Sequence, residues 1–191
     1  MIIKMYITLM PVILAGILNM LFVKTAVYQR LKRPMDASRV LKDGRRLFGD
    51  NKTWAGFAGM IAANMLSQVF WGLVCRILPE GMNYIYQYHQ NSISFNLLAG
   101  AGFGLAYVLC ELPNSFIKRR MGIPDGKTVS GRKGAVFFIA DQTDSLFGVV
   151  LLLAFLYPMP VWQYILYIFL GAGTHIFVNF ILYRLKIRKN L

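Results

Sequence analysis

The chain has 191 residues, of which 57% are hydrophobic, and it carries a net charge of +13 and a mean hydropathy of +0.50. This apolar content is well above that of soluble domains, so the composition excludes an ordinary soluble protein and favours an integral membrane protein. A basic chain could also bind nucleic acid, but no nucleic-acid module is left outside the apolar runs, and we expect no such partner.

Five apolar runs follow one another along the chain, at residues 5–23, 54–78, 94–112, 137–157 and 161–183. Each is near or above the roughly 20 residues that an α-helix needs to cross the hydrocarbon core. The first run is long and lacks a small-x-small cleavage site, so we interpret it as a retained helix and not as a signal peptide. The sequence thus predicts an all-α integral membrane protein, a bundle of five transmembrane helices forming a single domain over residues 1–191.

The basic residues are distributed unevenly between the connections. Nine of the 21 Lys and Arg residues fall in residues 24–52, six in 118–133 and four from 184 onward, whereas 79–93 and 158–160 contain none. By the positive-inside rule, the N-terminus is expected outside, with two basic loops and the C-terminus in the cytoplasm. The expected location is the cytoplasmic membrane. Part of this charge also serves to attract anionic lipid headgroups, at about 1 kcal/mol per basic residue.

The first basic loop, residues 24–53, contains more than positive charge. Its later part reads "KRPMDASRVLKDGRRLFGDNKTWAG" when continued into the next run, with three aspartates placed among arginines and glycines. Glycines allow tight turns and let backbone N–H groups approach phosphate oxygens. Lys52 and Thr53 fall just before a predicted helix N-terminus, which favours an anion. A plain connection is the alternative, because loop glycines are common for backbone reasons alone.

The second basic loop, residues 113–136, leads into the fourth apolar run. Ser115, Lys118 and Arg119 fall within about one helical turn of each other, and Asp125 follows them. Ser115, Lys118 and Arg119 stand at the cytoplasmic end of the third run.

A pair of acidic residues, Asp141 and Asp144, lies near the start of the fourth run. The stretch after Asp144 is too short to span the bilayer, so the helix must begin near residue 137 or earlier and carry both acids at its cytoplasmic end. The i, i+3 spacing places them on one face. Such a pair suits Mg²⁺ bound to phosphates, because Mg²⁺ takes one or two carboxylates plus phosphate and water oxygens. An ion pair with a neighbouring Lys or Arg is the alternative.

The spacing of these polar residues resembles the signature of the CDP-diacylglycerol synthase superfamily, and the matching residues are Ser115, Lys118, Arg119, Asp125, Asp141 and Asp144. Pro124 and Gln142 replace basic residues of that signature, and the resemblance is closer to the CDP-archaeol synthase family. The motifs that carry it are Asp43-Gly44-Arg45-Arg46, Gly49-Asp50-Asn51-Lys52-Thr53-Trp54, and Thr174-His175 with Asn179 and Tyr183, together with Asn19.

The resemblance implies a five-helix membrane cytidylyltransferase, a nucleotidyltransferase of phospholipid biosynthesis that transfers CMP from CTP to a lipid phosphate and releases pyrophosphate. The implied cofactor is Mg²⁺ on Asp141 and Asp144, and the implied catalytic residues are these two with Lys118 and Arg119. The implied substrate-binding residues are Asp43, Arg45, Arg46, Asp50, Lys52, Thr53, Ser115, Asp125, His175 and Asn179. The expected partners are CTP, a lipid phosphate and membrane lipids, and the oligomeric state is left open.

Two alternatives accompany this interpretation. Considered alone, His175 in an apolar run is more often a packed, hydrogen-bonded residue, with Thr174 and Asn179 as its polar neighbours. A small ion-coupled carrier could also hold paired aspartates in a helix. Such carriers usually place these groups near the bilayer midplane, often with inverted repeats or broken helices, whereas Asp141 and Asp144 lie near one face and the sequence shows no internal repeat.

Overall fold

A computed structural model of the protein describes residues 1–127 and 130–186. The far end of the basic C-terminal segment, residues 187–191, lies outside the described residues. The described part of the chain is helical, with two isolated β-bridges and no strand. Its helices are α1 (Ile2–Phe22), α2 (Ala26–Leu31), α3 (Trp54–Cys75), α4 (Ile93–Arg120), α5 (Gly131–Leu156) and α6 (Val161–Arg184), with a short 3₁₀ helix at Ile85–Gln87.

All of these helices except α2 are long and apolar enough to cross a membrane, so five such helices are found in the described residues. The predicted all-α architecture with five spanning helices is therefore confirmed, whereas the single-domain assignment stays a prediction. Three of the predicted spans agree with α1, α3 and α6 to within three residues at each end.

The other two helices extend well beyond the apolar runs on the side of the second basic loop. The third run was predicted to end at 112, but α4 passes through Pro113 and continues to Arg120. It stops at Gly122, whose φ of +76° suits glycine. There the Gly122 N–H bonds to the Arg119 carbonyl and the Ile123 N–H to the Lys118 carbonyl, a Schellman motif. Hydropathy thus located the end of the apolar stretch and not the end of the helix.

The helices approach each other closely through small residues on α4 and α5. A Cβ atom added at Gly104 of α4 would lie 2.5 Å from the Ile61 Cα of α3. One added at Gly148 of α5 would lie 2.5 Å from the Ala106 carbonyl oxygen of α4. Small residues are how membrane helices bring their backbones together. Helix α4 is therefore held between α3 and α5, and its polar face has little freedom to shift.

The two ends of the bundle differ in chemistry. At the end where α3 leads into α4, Gln68 donates to the Tyr86 hydroxyl at 3.1 Å and Tyr86 donates to Asn96 at 2.8 Å. A second neutral contact there joins the Tyr157 and Tyr167 hydroxyls at 2.9 Å. These bonds satisfy buried polar groups without charge. Most of the charged side chains lie at the opposite end, beside the two basic loops, and Lys4, Arg76 and Glu80 are the exceptions.

Candidate active site

A cavity of about 700 Å³ lies inside the bundle, toward the end that carries the basic loops. All five long helices contribute to its lining. Part of the wall is apolar and comes mainly from α1, with further apolar residues from α3 and α4. The residues of the predicted site that line it are Lys52, Thr53, Ser115, Lys118, Arg119, Asp125, Asp141, Asp144 and His175. The structure therefore brings together residues that are up to 123 positions apart in sequence.

The paired carboxylates are joined by an asparagine that the sequence did not single out. The Asn114 side-chain amide donates to Asp141 Oδ1 and to Asp144 Oδ2, each at 2.7 Å. Lys118 Nζ donates to Asp141 Oδ1 at 2.5 Å, and the Ser145 N–H donates to Asp144 Oδ1 at 2.6 Å. The two acids thus share one amide, while a lysine faces one of them. The spacing of Asn114 and Lys118, i and i+4 on one helix face, is the signal that could have found Asn114.

Both interpretations of the acidic pair have support in this geometry. Asp141 forms the ion pair with a basic neighbour that was the alternative. The pair also suits a metal, because two carboxylates brought within reach of one amide supply the hard oxygen ligands that Mg²⁺ prefers. Among the described residues, no group of three or more His, Cys, Asp or Glu could hold an ion. A metal at this position would therefore complete its shell with phosphate and water oxygens, as Mg²⁺ commonly does.

Lys52 enters the cavity from the end of the first basic loop, where its Nζ donates to the carboxylate of Glu111 on α4. Burial alone would lower the pKa of Lys52, but the charges of Glu111, Asp144 and Asp141 outweigh it and raise that pKa. The side chain is therefore an ammonium group at neutral pH. The next residue, Thr53, caps α3 by accepting from the Gly56 N–H at 3.0 Å, which confirms the predicted helix start.

The first basic loop is organised around a buried aspartate, Asp36. Its carboxylate pairs with Arg46 at 2.6 Å and accepts the backbone N–H groups of Phe48 and Gly49, each at 3.0 Å. Burial would raise the pKa of Asp36, yet the bonds from Arg46 and the backbone hold it well below its usual range. Arg46 also pairs with Asp50 at 3.0 Å. Two predicted substrate-binding residues, Arg46 and Asp50, are thus engaged in the loop's own scaffold.

Asp125 fastens the second basic loop to the first. One of its oxygens accepts the Asp50 N–H at 2.5 Å, and the other lies 2.7 Å from Arg119. Gly49 makes this approach possible, because its φ is +96° and an added Cβ would lie 2.0 Å from Asp125 Oδ1. Arg119 is held by this carboxylate at the edge of the cavity, as an oriented cation.

Arg120, which the resemblance did not include, joins the end of α4 to the first basic loop. It donates to Asp43 at 2.6 Å and to the Arg46 carbonyl oxygen, and Arg45 donates to the Arg120 carbonyl oxygen. The predicted substrate-binding residues Asp43 and Arg45 therefore lie in the contact between the loop and α4. Their role toward substrate stays a prediction.

The two predicted polar residues of α6 occupy different surroundings. His175 lines the cavity beside Thr174, whose hydroxyl donates to the Leu170 carbonyl oxygen at 2.7 Å. Asn179 is buried one turn further along and donates to Gln142 of α5 at 3.1 Å. Asn179 thus ties α6 to α5 next to the acidic pair, and its predicted role in binding substrate stays a prediction.

Five helices of membrane-spanning length around a charged cavity place this chain in the class of multi-pass membrane proteins. The family model described as CarS-like, CDP-archaeol synthase, matches residues 1–191. The chain belongs to the CDP-archaeol synthase family. This confirms the resemblance seen in the motifs, and with it the expected enzyme class, a CTP-dependent cytidylyltransferase.

Individual relatives agree with this membership, and one solved structure shares the fold. The CDP-archaeol synthase of Archaeoglobus fulgidus is 31% identical over 163 residues, 82% of each chain. That of Sulfolobus acidocaldarius is 30% identical over 156 residues, 81% of this chain and 80% of the relative. A solved intramembrane enzyme for archaeal membrane lipids biosynthesis superposes with a TM-score of 0.63, at 24% identity and 92% coverage of both chains. That likeness supports the shared fold.

Proposed function

We propose that this enzyme transfers CMP from CTP to the phosphate of an archaeol-type lipid, with Mg²⁺, to give CDP-archaeol and pyrophosphate. The observation that carries the proposal is the composition of the cavity. Lysines and the Asp141–Asn114–Asp144 cluster line one part of it, and apolar side chains of α1 such as Leu9 and Val12 line another. A lipid phosphate has the same division, because it joins an anionic head to apolar chains.

The reaction needs no protein nucleophile and no general base. An ionised oxygen of the lipid phosphate attacks the α-phosphorus of CTP, and the bond from that phosphorus to the oxygen bridging to the β-phosphate breaks as pyrophosphate leaves. No proton has to be removed from the attacking group. The protein's task is to align the two phosphates and to offset their negative charge, which can account for most of the rate enhancement in such transfers.

We assign the cationic contribution to Lys52, Lys118 and Arg119. Their side chains are 23%, 16% and 11% exposed, so each remains accessible from the cavity while most of its surface is withdrawn from water. A divalent cation held by Asp141 and Asp144 would screen the triphosphate charge at the point where it increases in the transition state. Asn114 keeps the two carboxylates at a fixed separation, since it donates to both.

We propose that the site faces the cytoplasm. The cavity lies at the end of the bundle that carries both basic loops, and the connections at the other end, 76–92 and 157–160, contain a single basic residue, Arg76. Under the positive-inside rule this puts the N-terminus of α1 outside and the CTP site inside, in the cytoplasmic membrane.

The experiment is turnover of labelled CTP by the purified protein in detergent, with Mg²⁺ and a panel of diacyl, dialkyl and isoprenoid-ether lipid phosphates. A CDP-lipid product from wild type, strongest with the isoprenoid ether, would support the proposal. Asp144→Asn removes a charge with little change in shape and should abolish turnover, whereas the same kind of change at exposed Glu80, Glu80→Gln, should not. Folded wild-type protein that makes no product with any lipid would refute the proposal and favour the carrier interpretation.

A further inference from the structure

Glu111 stands at the inner end of a polar stripe on α4. The stripe consists of Glu111, Asn114, Ser115 and Lys118, at i, i+3, i+4 and i+7, and all four residues line the cavity. Residues at this spacing share one helix face. Glu111 is the only acid in the stripe, and the sequence motifs assign it no role. Its carboxylate binds the Lys52 ammonium group, with 26% of the Glu111 side chain exposed.

We propose that Glu111 is a positioning residue that holds the Lys52 ammonium group toward the phosphates of CTP. This inference rests on the proposed function and adds one residue to its site. The Glu111 carboxylate itself would repel a triphosphate, and it also interacts electrostatically with Asp144. Both interactions are between negative charges, so a favourable contribution to the reaction has to pass through the lysine that Glu111 binds. A lysine carries its charge on a flexible four-carbon stem, and a fixed carboxylate restricts where that charge is held.

The backbone around Lys52 is fixed without this ion pair. The Lys52 carbonyl oxygen accepts the Met35 N–H at 2.8 Å, and the Trp54 N–H donates to the Arg33 carbonyl oxygen at 3.0 Å. Thr53 caps α3 and also contacts the Tyr28 hydroxyl at 3.1 Å. These bonds hold the end of the loop against α2 and α3. Glu111 is therefore not needed to place the loop, and what it determines is the direction of the Lys52 side chain.

A contribution to stability does not by itself explain the Glu111–Lys52 ion pair. A partly buried ion pair is often no more stable than two apolar side chains of similar volume, because both charges lose hydration. Both side chains of this pair are about three-quarters buried, with 23% of Lys52 and 26% of Glu111 exposed, so both charges have lost much of their hydration. The charge of Lys52 acts on more than Glu111, since it also interacts with Asp144 and Asp141 across the cavity. The ion pair thus belongs to the charge arrangement of the site.

The test is a double-mutant cycle on the full-length protein in detergent, using Glu111→Gln, Lys52→Met and the two together. Glu111→Gln leaves the ammonium charge in place but no longer holds the Lys52 side chain in one orientation. The value of kcat should therefore fall about 10- to 100-fold while KM for CTP changes little. Lys52→Met removes the charge, so it should also raise KM. In the double variant, Glu111→Gln should add no further loss, because the favourable effect of Glu111 passes through Lys52.

Three controls separate this role from a structural one. Glu80→Gln makes the same chemical change at an exposed position and should leave turnover unchanged. Glu111→Asp keeps the charge on a shorter side chain and should recover part of the lost kcat. Thermal unfolding of each variant shows whether it is folded; if Glu111→Gln fails to fold even with Lys52→Met present, Glu111 supports the fold through another contact and the inference is wrong.

Two kinetic results would also overturn the inference while leaving the proposed function intact. One is a Glu111→Gln enzyme with kcat within about twofold of an active wild type. The other is a cycle in which the two losses multiply, since that would show Glu111 and Lys52 acting independently. A wild type that makes no CDP-lipid at all is a different outcome, which refutes the proposed function and removes the premise of the inference.

Discussion

Replacing Asp36 by Asn should loosen the first basic loop, because both oxygens of the Asp36 carboxylate act as hydrogen-bond acceptors and an asparagine has only one such oxygen. The two oxygens accept from the Ser38, Phe48 and Gly49 N–H groups and from Arg46. An asparagine side chain presents one oxygen and one NH₂ group. Whichever way the amide turns, the NH₂ group meets backbone and guanidinium donors, so at least two bonds are lost.

Asp36→Asn should lower the free energy of opening the first basic loop by about 3 kcal/mol. Breaking a buried ion pair by changing one partner typically costs 3–5 kcal/mol, and here Arg46 keeps Asp50 as a partner at 3.0 Å, which favours the lower end. Because the pKa of Asp36 is lowered in the folded protein, its contribution is fully present above the unfolded pKa of about 3.9 and is lost as the pH falls toward the folded value. The difference between wild type and variant should be constant from pH 7 to about 4.

Hydrogen exchange at the Phe48 and Gly49 amides measures this effect directly. A loss of about 3 kcal/mol should speed exchange in the peptide that contains them by roughly 100-fold. Asp43→Asn is the matched control, since the Asp43 side chain is 42% exposed and its pair with Arg120 should contribute less than about 1 kcal/mol. Equal exchange in the Asp36 and Asp43 variants would contradict the reasoning.

Further predictions concern backbone contacts and the metal. Gly49→Ala should lower turnover and thermal stability more than Gly44→Ala, because only the Cβ at 49 meets a carboxylate, at 2.0 Å, while both positions have positive φ. Gly148→Ala should lower the free energy of unfolding by about 1–3 kcal/mol, because the added Cβ forces α4 and α5 apart. Gly173→Ala should be tolerated, because nothing lies within 4 Å of the added Cβ, and equal melting temperatures of the two variants would contradict this. Chelation should abolish turnover and added Mg²⁺ should restore it; turnover that persists in chelator would exclude the metal.

The features that the sequence predicted well are those that depend on the length of the apolar runs and on the distribution of charge along the chain. Apolar length located all five spanning helices, and the basic loops lie at the end of the bundle that contains the cavity. The extension of α4 to Arg120 was missed because hydropathy falls at residue 112 while the helix continues. The stop depends instead on Gly122, whose backbone geometry hydropathy does not report.

The sequence predicted the main charged residues of the candidate site but not the side chains that they contact. Lys118, Asp141 and Lys52 were identified from motifs, and all three line the cavity. Glu111 and Asn114 were missed because they lie outside those motifs, and their role depends on which residues of other helices face them. Sequence spacing determines which residues share a helix face, but the contacts between helices come only from packing.

The contacts made at the end of α4 restrict the number of residues that the last turns of this helix can contain. Three consecutive cations leave it in three directions, with Lys118 binding α5, Arg119 the second basic loop and Arg120 the first. Each residue of an α-helix turns by about 100°, so one inserted or deleted residue in the last turns of α4 would send each cation to the wrong partner. One-residue insertions and deletions should therefore be excluded from the stretch of α4 that follows Glu111.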